Sequence, residues 1–327
     1  MPRRYSFSGS KTVEALVTGT LQQLSAAFAG SPLASQYSAV ILGGGYGRGE
    51  GGATPDGKLY NDLDFFVIIR SERPSGELLS FLAELSEKWS RELGVEVDFC
   101  CVSKARLKRN RNTLMIQELI AGCEVIFGKS GSLDFLRLSG WNALPQSEGV
   151  RLMLNRGAGL LMARGKLEAG NVSGADTDFI RRNIHKAELG CGDAWLIANH
   201  AYLRTGSERL ETLETSNVET ELKRRYRAAL EYKYTPHPNP HEDLKADLTA
   251  VIALWLRTWE NYPSADYPKS LRNAALNLRY AAKLGRIRPL FVHPRFKLLT
   301  PLAGLLKNRE GKTGEEGEFL ALWERFN

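Results

Sequence analysis

Leu42-Gly43-Gly44-Gly45-Tyr46-Gly47-Arg48-Gly49-Glu50, with Asn61-Asp62-Leu63-Asp64-Phe65-Phe66-Val67 after it, is the stretch from which the chain is read. Just upstream, Tyr37-Ser38-Ala39-Val40-Ile41-Leu42 is short, apolar, partly β-branched and stopped by glycine, which predicts a buried strand. The glycines allow a tight turn whose backbone N–H groups can approach a bulky anion. A second strand is predicted from Asp62. Side chains alternate along a strand, so Asp62 and Asp64 share one face while Leu63 and Phe65 share the other. Neighbouring carboxylates repel each other unless a cation lies between them, and Mg²⁺ takes such oxygen ligands together with substrate phosphates. A third acidic strand, Gly94-Val95-Glu96-Val97-Asp98-Phe99, sets Asp98 among apolar neighbours, with Glu96 on the same face as its substitute. A glycine turn, Asp-x-Asp and a lone strand Asp form a two-metal phosphoryl-transfer layout.

Through Gly44-Gly45-Tyr46-Gly47-Arg48-Gly49, Asp62-Leu63-Asp64 and Asp98, residues 35–130 resemble the polymerase-β-like nucleotidyltransferase superfamily. The likeness is to its minimal nucleotidyltransferases and aminoglycoside adenylyltransferases. Their pattern is a strand, Gly-Ser-x-Ala-Arg-Gly, a short gap, Asp-x-Asp, and a further strand bearing the third acid. Gly45 stands where that family has Ser, so a hydroxyl that touches the triphosphate is missing while the N–H remains. The gap from Arg48 to Asp62 is longer than usual and holds a turn at Thr54-Pro55-Asp56-Gly57. The resemblance implies an α+β fold, a nucleotidyltransferase-type mixed sheet followed by a helical bundle closing the active-site cleft. It also implies transfer of AMP from ATP to a hydroxyl of a small-molecule acceptor, with release of pyrophosphate; transfer to RNA or to a protein side chain is the alternative among enzymes, and a nucleotide-binding module without turnover is the alternative of another class. Asp62, Asp64 and Asp98 would bind two Mg²⁺ ions, with Asp98 also taking the acceptor's proton. Gly44, Gly45, Arg48 and Gly49 would hold the triphosphate. For Arg48, a surface pair with Glu50 is the structural alternative.

The 327 residues are enough for two domains, each with its own core. A hydrophobic content of 43% with 25% charged residues fits an ordinary globular protein. The net charge of +7 points to an anionic partner, nucleotide or RNA alike. Cys100, Cys101, Cys123 and Cys191 lack Cys-x-x-Cys spacing and lie in apolar surroundings, so reduced core cysteines are expected. No apolar run nears the ~20 residues that span a bilayer. Glu14, Gln22 and Gln23 interrupt any signal-peptide core behind Met1-Pro2-Arg3-Arg4. A cytoplasmic protein with no membrane partner is expected.

Along the chain, helices are predicted over 11–29, 76–93 and 104–121, and a short strand over 123–128. Gly131, Gly140 and Pro145 mark a boundary, dividing a catalytic domain (1–137) from a helical domain (145–327). In the latter, stripes run through Ile180, Ile184, Ala187 and Cys191, through Leu248, Val251 and Trp255, and through Leu271, Ala275, Leu278 and Ala282, with Gly285 as a C-cap. Lys186 is placed to reach a phosphate and Asp193 an acceptor hydroxyl or amine. A solvated helix face is the alternative for both, and Arg156 is treated alike. His237 and His241 have His-x₃-His spacing, but Pro238 and Pro240 oppose the helix a zinc pair needs. Arg288 and His293 match an Arg-x₄-His ribonuclease pattern that Pro289 disrupts. The basic run Lys269 to Lys312 reads as a solvated face or as an RNA-binding surface.

Overall fold

The computed structural model describes residues 4–237, 243–263, 266–285, 288–308 and 313–326. Its first part runs α1 (Lys11–Gly30), β1 (Tyr37–Leu42), α2 (Gly44–Arg48), β2 (Leu63–Ile69), α3 (Gly76–Leu93), β3 (Val97–Ser103), α4 (Lys104–Arg109), α5 (Leu114–Ala121) and β4 (Glu124–Gly128). The strands form one mixed sheet in the order β3-β2-β1-β4. β1 is antiparallel to both its neighbours, and β2 runs parallel to β3. The parallel pair requires a crossover, which α3 supplies. Ser75 Oγ accepts from Leu78 N–H at its start, and Gly94 in the left-handed region ends it.

Alternation along the strands builds two cores. On one face Leu42, Leu63, Phe65 and Val67 pack with Val17, Leu24 and Phe28 of α1 and with Leu78, Leu82 and Trp89 of α3. On the other, Ile41, Phe66, Ile68 and Val102 meet Leu107, Ile116 and Leu119. Each large apolar side chain buried this way contributes roughly 1.5–3 kcal/mol.

A helical region follows: α6 (Gln146–Glu168), α7 (Gly174–Ala198), α8 (Gly206–Thr215), α9 (Thr220–Tyr234), α10 (Leu244–Glu260), α11 (Leu271–Arg279), α12 (Ala281–Leu284), α13 (Leu299–Lys307) and α14 (Thr313–Phe326). Its core takes in Ile180, Ile184, Ala187 and Cys191 of α7 and Leu248, Val251 and Trp255 of α10. Trp255 brings a polar atom into that core, and its indole N–H donates to Met153 O at 2.9 Å. Among the described residues no helix is long and apolar enough to cross a membrane.

By contacts the chain divides after Ala143 into two units, and the first also takes in Leu203–Gly206 and a stretch beginning at Leu230. Helical periodicity gives no sign of these two returns, because both lie at helix ends.

Three local expectations need correction. The helix predicted over 104–121 is two helices, α4 and α5, since Asn110 caps the first and its C=O accepts the Thr113 hydroxyl before the second begins. Cys191 is a core residue, but Cys100 is exposed and Cys101 and Cys123 are half-buried, because β3 and the approach to β4 lie at the margins of the sheet. The third, in α11, is an inverted face. Leu271 and Leu278 are 81% and 59% exposed, while Asn273 and Asn277 are buried. Asn277 Nδ2 donates to Leu290 O (2.7 Å) and Val292 O (2.8 Å), and Asn273 Nδ2 to Phe291 O (3.0 Å). Satisfying the carbonyls of the neighbouring 290–292 turn outweighs burying two leucines. Gly285 does cap α12, at φ +63°.

Candidate active site

The site is assembled where β1 ends. Gly43 N–H donates to Asp64 O at 2.8 Å, which ties the start of the glycine stretch to the Asp-x-Asp strand. The stretch is not an open turn but the short helix α2, ended by Gly49 at φ +77°. Gly44 has φ +59°, and a Cβ built there would stand 2.0 Å from Asp64 Oδ2. Only glycine lets that carboxylate lie against the first turn of α2.

Parallel pairing of β2 with β3 sets Asp64 directly opposite Asp98 and Leu63 opposite Val97. Leu63 N–H donates to Glu96 O at 2.9 Å, fixing this register. On the buried face Phe65 stacks on Phe99 with ring centres 5.0 Å apart. The pleat therefore turns Asp64 and Asp98 to the opposite side. Asp62, one residue before β2, belongs with them: the Asp98 carboxyl is raised, first by desolvation and then by the negative charge of Asp62. The Cys100 thiol is raised too, first by desolvation, with the charges of Asp64 and Asp98 adding and Arg106 opposing. Asp64 and Asp98 are thus register neighbours on one side of the sheet, with the charge of Asp62 felt at Asp98. Glu96 is exposed two residues before Asp98.

For a cation, the donor types suit a hard divalent ion, since three carboxylates supply oxygen ligands alone. Among the described residues no group of three or more His, Cys, Asp or Glu is gathered closely enough to hold a metal ion. The three carboxylates are neighbours, not a formed cage.

Arg48 is engaged within the fold. Its Nε stands 3.4 Å from Glu50 and its Nη1 3.2 Å from Glu118, with the side chain 11% exposed. This is the geometry of a residue bracing α2 against α5. Gly45 is half-buried, and a Cβ there would meet nothing nearer than Glu50 O at 3.5 Å. Lys186 is exposed on α7 in the helical unit. Asp193 of that helix accepts from Tyr226 Oη (2.8 Å) and stands 3.1 Å from Arg209 Nε, inside a buried network. His241 lies outside the described residues, as do Arg286, Arg309, Glu310 and Lys312 of the basic run. The remainder of that run is not one solvated face: Lys297 is buried and Arg295 half-buried.

Two participants escape sequence reading. Glu50, read only as a partner for Arg48, is 4% exposed and accepts from Gly206 N–H (2.7 Å) and Tyr234 Oη (3.1 Å). Its one legible signal is an acid ending a glycine-rich stretch. Arg106 of α4 lies within electrostatic reach of the Cys100 thiol on β3. Nothing in the spacing of a basic helix marks it out. Compared with protein-family models and with curated proteins, the chain matches none.

Proposed function

We propose that the N-terminal unit is a nucleotidyltransferase that moves AMP from ATP to a hydroxyl of a small-molecule acceptor and releases pyrophosphate. One observation carries the reading: Asp64 and Asp98 are register partners on adjacent parallel strands, with Asp64 against Gly44. Two like charges side by side cost stability unless a cation lies between them. Asp62, Asp64 and Asp98 would hold Mg²⁺, which supplies neutralisation of charge on the α-phosphate and the leaving pyrophosphate. Asp98 is suited to accept the acceptor's proton, since its raised carboxyl binds a proton more tightly than an ordinary one. The N–H groups of the glycine stretch would take the phosphates, and Arg106, which acts on the Cys100 thiol, would add positive charge nearby. Arg48 keeps α2 in place through Glu50 and Glu118.

The test combines product analysis with one variant. Mass spectrometry of the protein incubated with labelled ATP, Mg²⁺ and a cell extract is expected to reveal an adenylylated product. Asp64→Ala should lower transfer by at least about 10²–10³-fold, the loss typical when one transition-state stabiliser is removed, with the circular dichroism spectrum unchanged. Undiminished pyrophosphate release by that variant would rule the assignment out.

A second reading, a nucleotide-binding module without turnover, is favoured by the ungathered carboxylates and by Gly45 in place of Ser. Calorimetric ATP binding that does not depend on Mg²⁺, with no product formed, would select it.

A further inference from the structure

In the helical unit, α11 turns its apolar face outward. Leu271, Ala275 and Leu278 recur at the i, i+4, i+7 spacing of one helix face, and all three are exposed. The opposite face is fixed. Asn273 Nδ2 donates to Phe291 O, and Asn277 Nδ2 to Leu290 O and Val292 O. Rolling the leucines inward would strand these buried amides and the carbonyls they serve. The same anchor sets Phe291, itself 45% exposed, beside the first turn of α11, where its C=O also accepts Ser270 N–H at 3.0 Å. Single exposed leucines are ordinary, but apolar groups gathered on one fixed face mark a surface that meets a partner.

The rim of that face is basic. Arg272 and Arg279 each follow a leucine by one residue, so both stand on one flank of the stripe, about 100° round the helix. Lys269 lies just before α11, in a bridge with Val292. All three cations are exposed, and among the described residues none of them makes a salt bridge. The sequence holds no Asp or Glu between Asp266 and Glu310. An apolar stripe edged by cations complements a surface that carries acyl chains beneath anionic headgroups, since one contact satisfies both halves. A nucleic-acid backbone would use the arginines and leave the leucines in water.

We infer that the exposed face of α11 docks this protein on an anionic phospholipid surface, through Leu271, Leu278 and Phe291 with Lys269, Arg272 and Arg279. The leucines and the phenylalanine enter the boundary between headgroups and acyl chains, and the three cations meet the lipid phosphates and carboxylates. A helix held this way lies in the plane of the headgroups, so the lack of a long apolar run in the sequence does not oppose it. The surface stands apart from the transferase reading, because all six residues belong to the helical unit.

The test is co-sedimentation of the full-length protein with lipid vesicles. Vesicles of equal parts phosphatidylcholine and phosphatidylserine are expected to carry it down, vesicles of phosphatidylcholine alone to carry far less, and sodium chloride to release it. The double variant Leu271→Gln, Leu278→Gln should bind at least about 10-fold more weakly. The double variant Arg272→Gln, Arg279→Gln should lose about 30-fold at low salt, at about 5-fold per charge. Leu79→Gln, at a leucine 51% exposed on α3, should bind as the wild type does. Every substituted position is exposed, so the melting temperature should hold and the losses report binding rather than unfolding. Asp64→Ala should sediment like the wild type, which separates this surface from the transferase reading. Equal binding to phosphatidylcholine alone, or undiminished binding by the leucine variant, overturns the inference. So does a dimer in sedimentation velocity that the leucine variant abolishes while neither protein binds vesicles, which would give the face to a second copy of the chain. Retention of an RNA homopolymer without vesicle binding overturns it as well.

Discussion

Asp98 shows how one side chain can link site and stability. It is exposed overall, yet the protein around its carboxyl desolvates it, and Asp62 adds like charge, so its proton is held more tightly folded than unfolded. For an acid raised on folding, the penalty is absent while both states are protonated. It grows as pH rises from the ordinary carboxyl value, about 4, through the folded value, and it is complete above that. Asp98→Asn is therefore expected to melt higher than the wild type at pH 7 and to match it near pH 3. Thermal melts across that range check the sign. A gain of equal size at both ends would mean that the carboxyl's charge is not the cause. Arg48 makes the complementary case: the sequence offers a phosphate ligand or a Glu50 partner, and the fold adds a second carboxylate, Glu118, from seventy positions downstream.

Among the elements, α2 departs most informatively from its expected form. Five glycine-rich residues close into a helical turn because Gly47 N–H bonds back to Gly43 O at 2.8 Å and Gly49 takes the left-handed cap. Gly45 is the position at which the resemblance lacks its hydroxyl, and the space there accepts a side chain. Gly45→Ser is expected to leave stability within about 0.5 kcal/mol of wild type. If α2 seats the triphosphate, the restored hydroxyl should tighten ATP binding about 2- to 10-fold, the equivalent of one ordinary hydrogen bond. Calorimetry of the variant gives the answer, and weakened binding would move the triphosphate elsewhere. α11 illustrates the limit of periodicity. Its leucines recur at helical spacing, but spacing cannot report that the carbonyls of Leu290, Phe291 and Val292 need the amides of Asn273 and Asn277.

Across the chain, Glu50 is the junction. It receives Gly206 and Tyr234 and pairs with Arg48 and with Lys233 at 3.8 Å, so the two late returns of the chain to the first unit converge on one buried carboxylate. Phe7 stacks on Tyr234 at 3.7 Å, and Tyr60 Oη donates to Tyr232 Oη at 2.9 Å, securing the second return. Removing one member of a buried ion pair strands the others. Glu50→Ala is accordingly expected to cost about 3–5 kcal/mol, read from chemical denaturation, and Glu50→Gln less. A loss below ~1 kcal/mol, the worth of a surface pair, would show that the junction is dispensable.

The strands β1 and β2, the helices α1 and α3 and the stripes of α7 and α10 follow from sequence alone, because alternation and helical spacing are properties of neighbours along the chain. The alternation of Asp64 with buried Leu63 and Phe65 along β2 follows for the same reason. What required the fold were relations between remote residues: the register that sets Asp98 opposite Asp64, the second acid on Arg48, and the returns that meet at Glu50. Each depends on which distant groups come within a few ångströms, and Coulomb and hydrogen-bond energies at that range are written in no local pattern of residues.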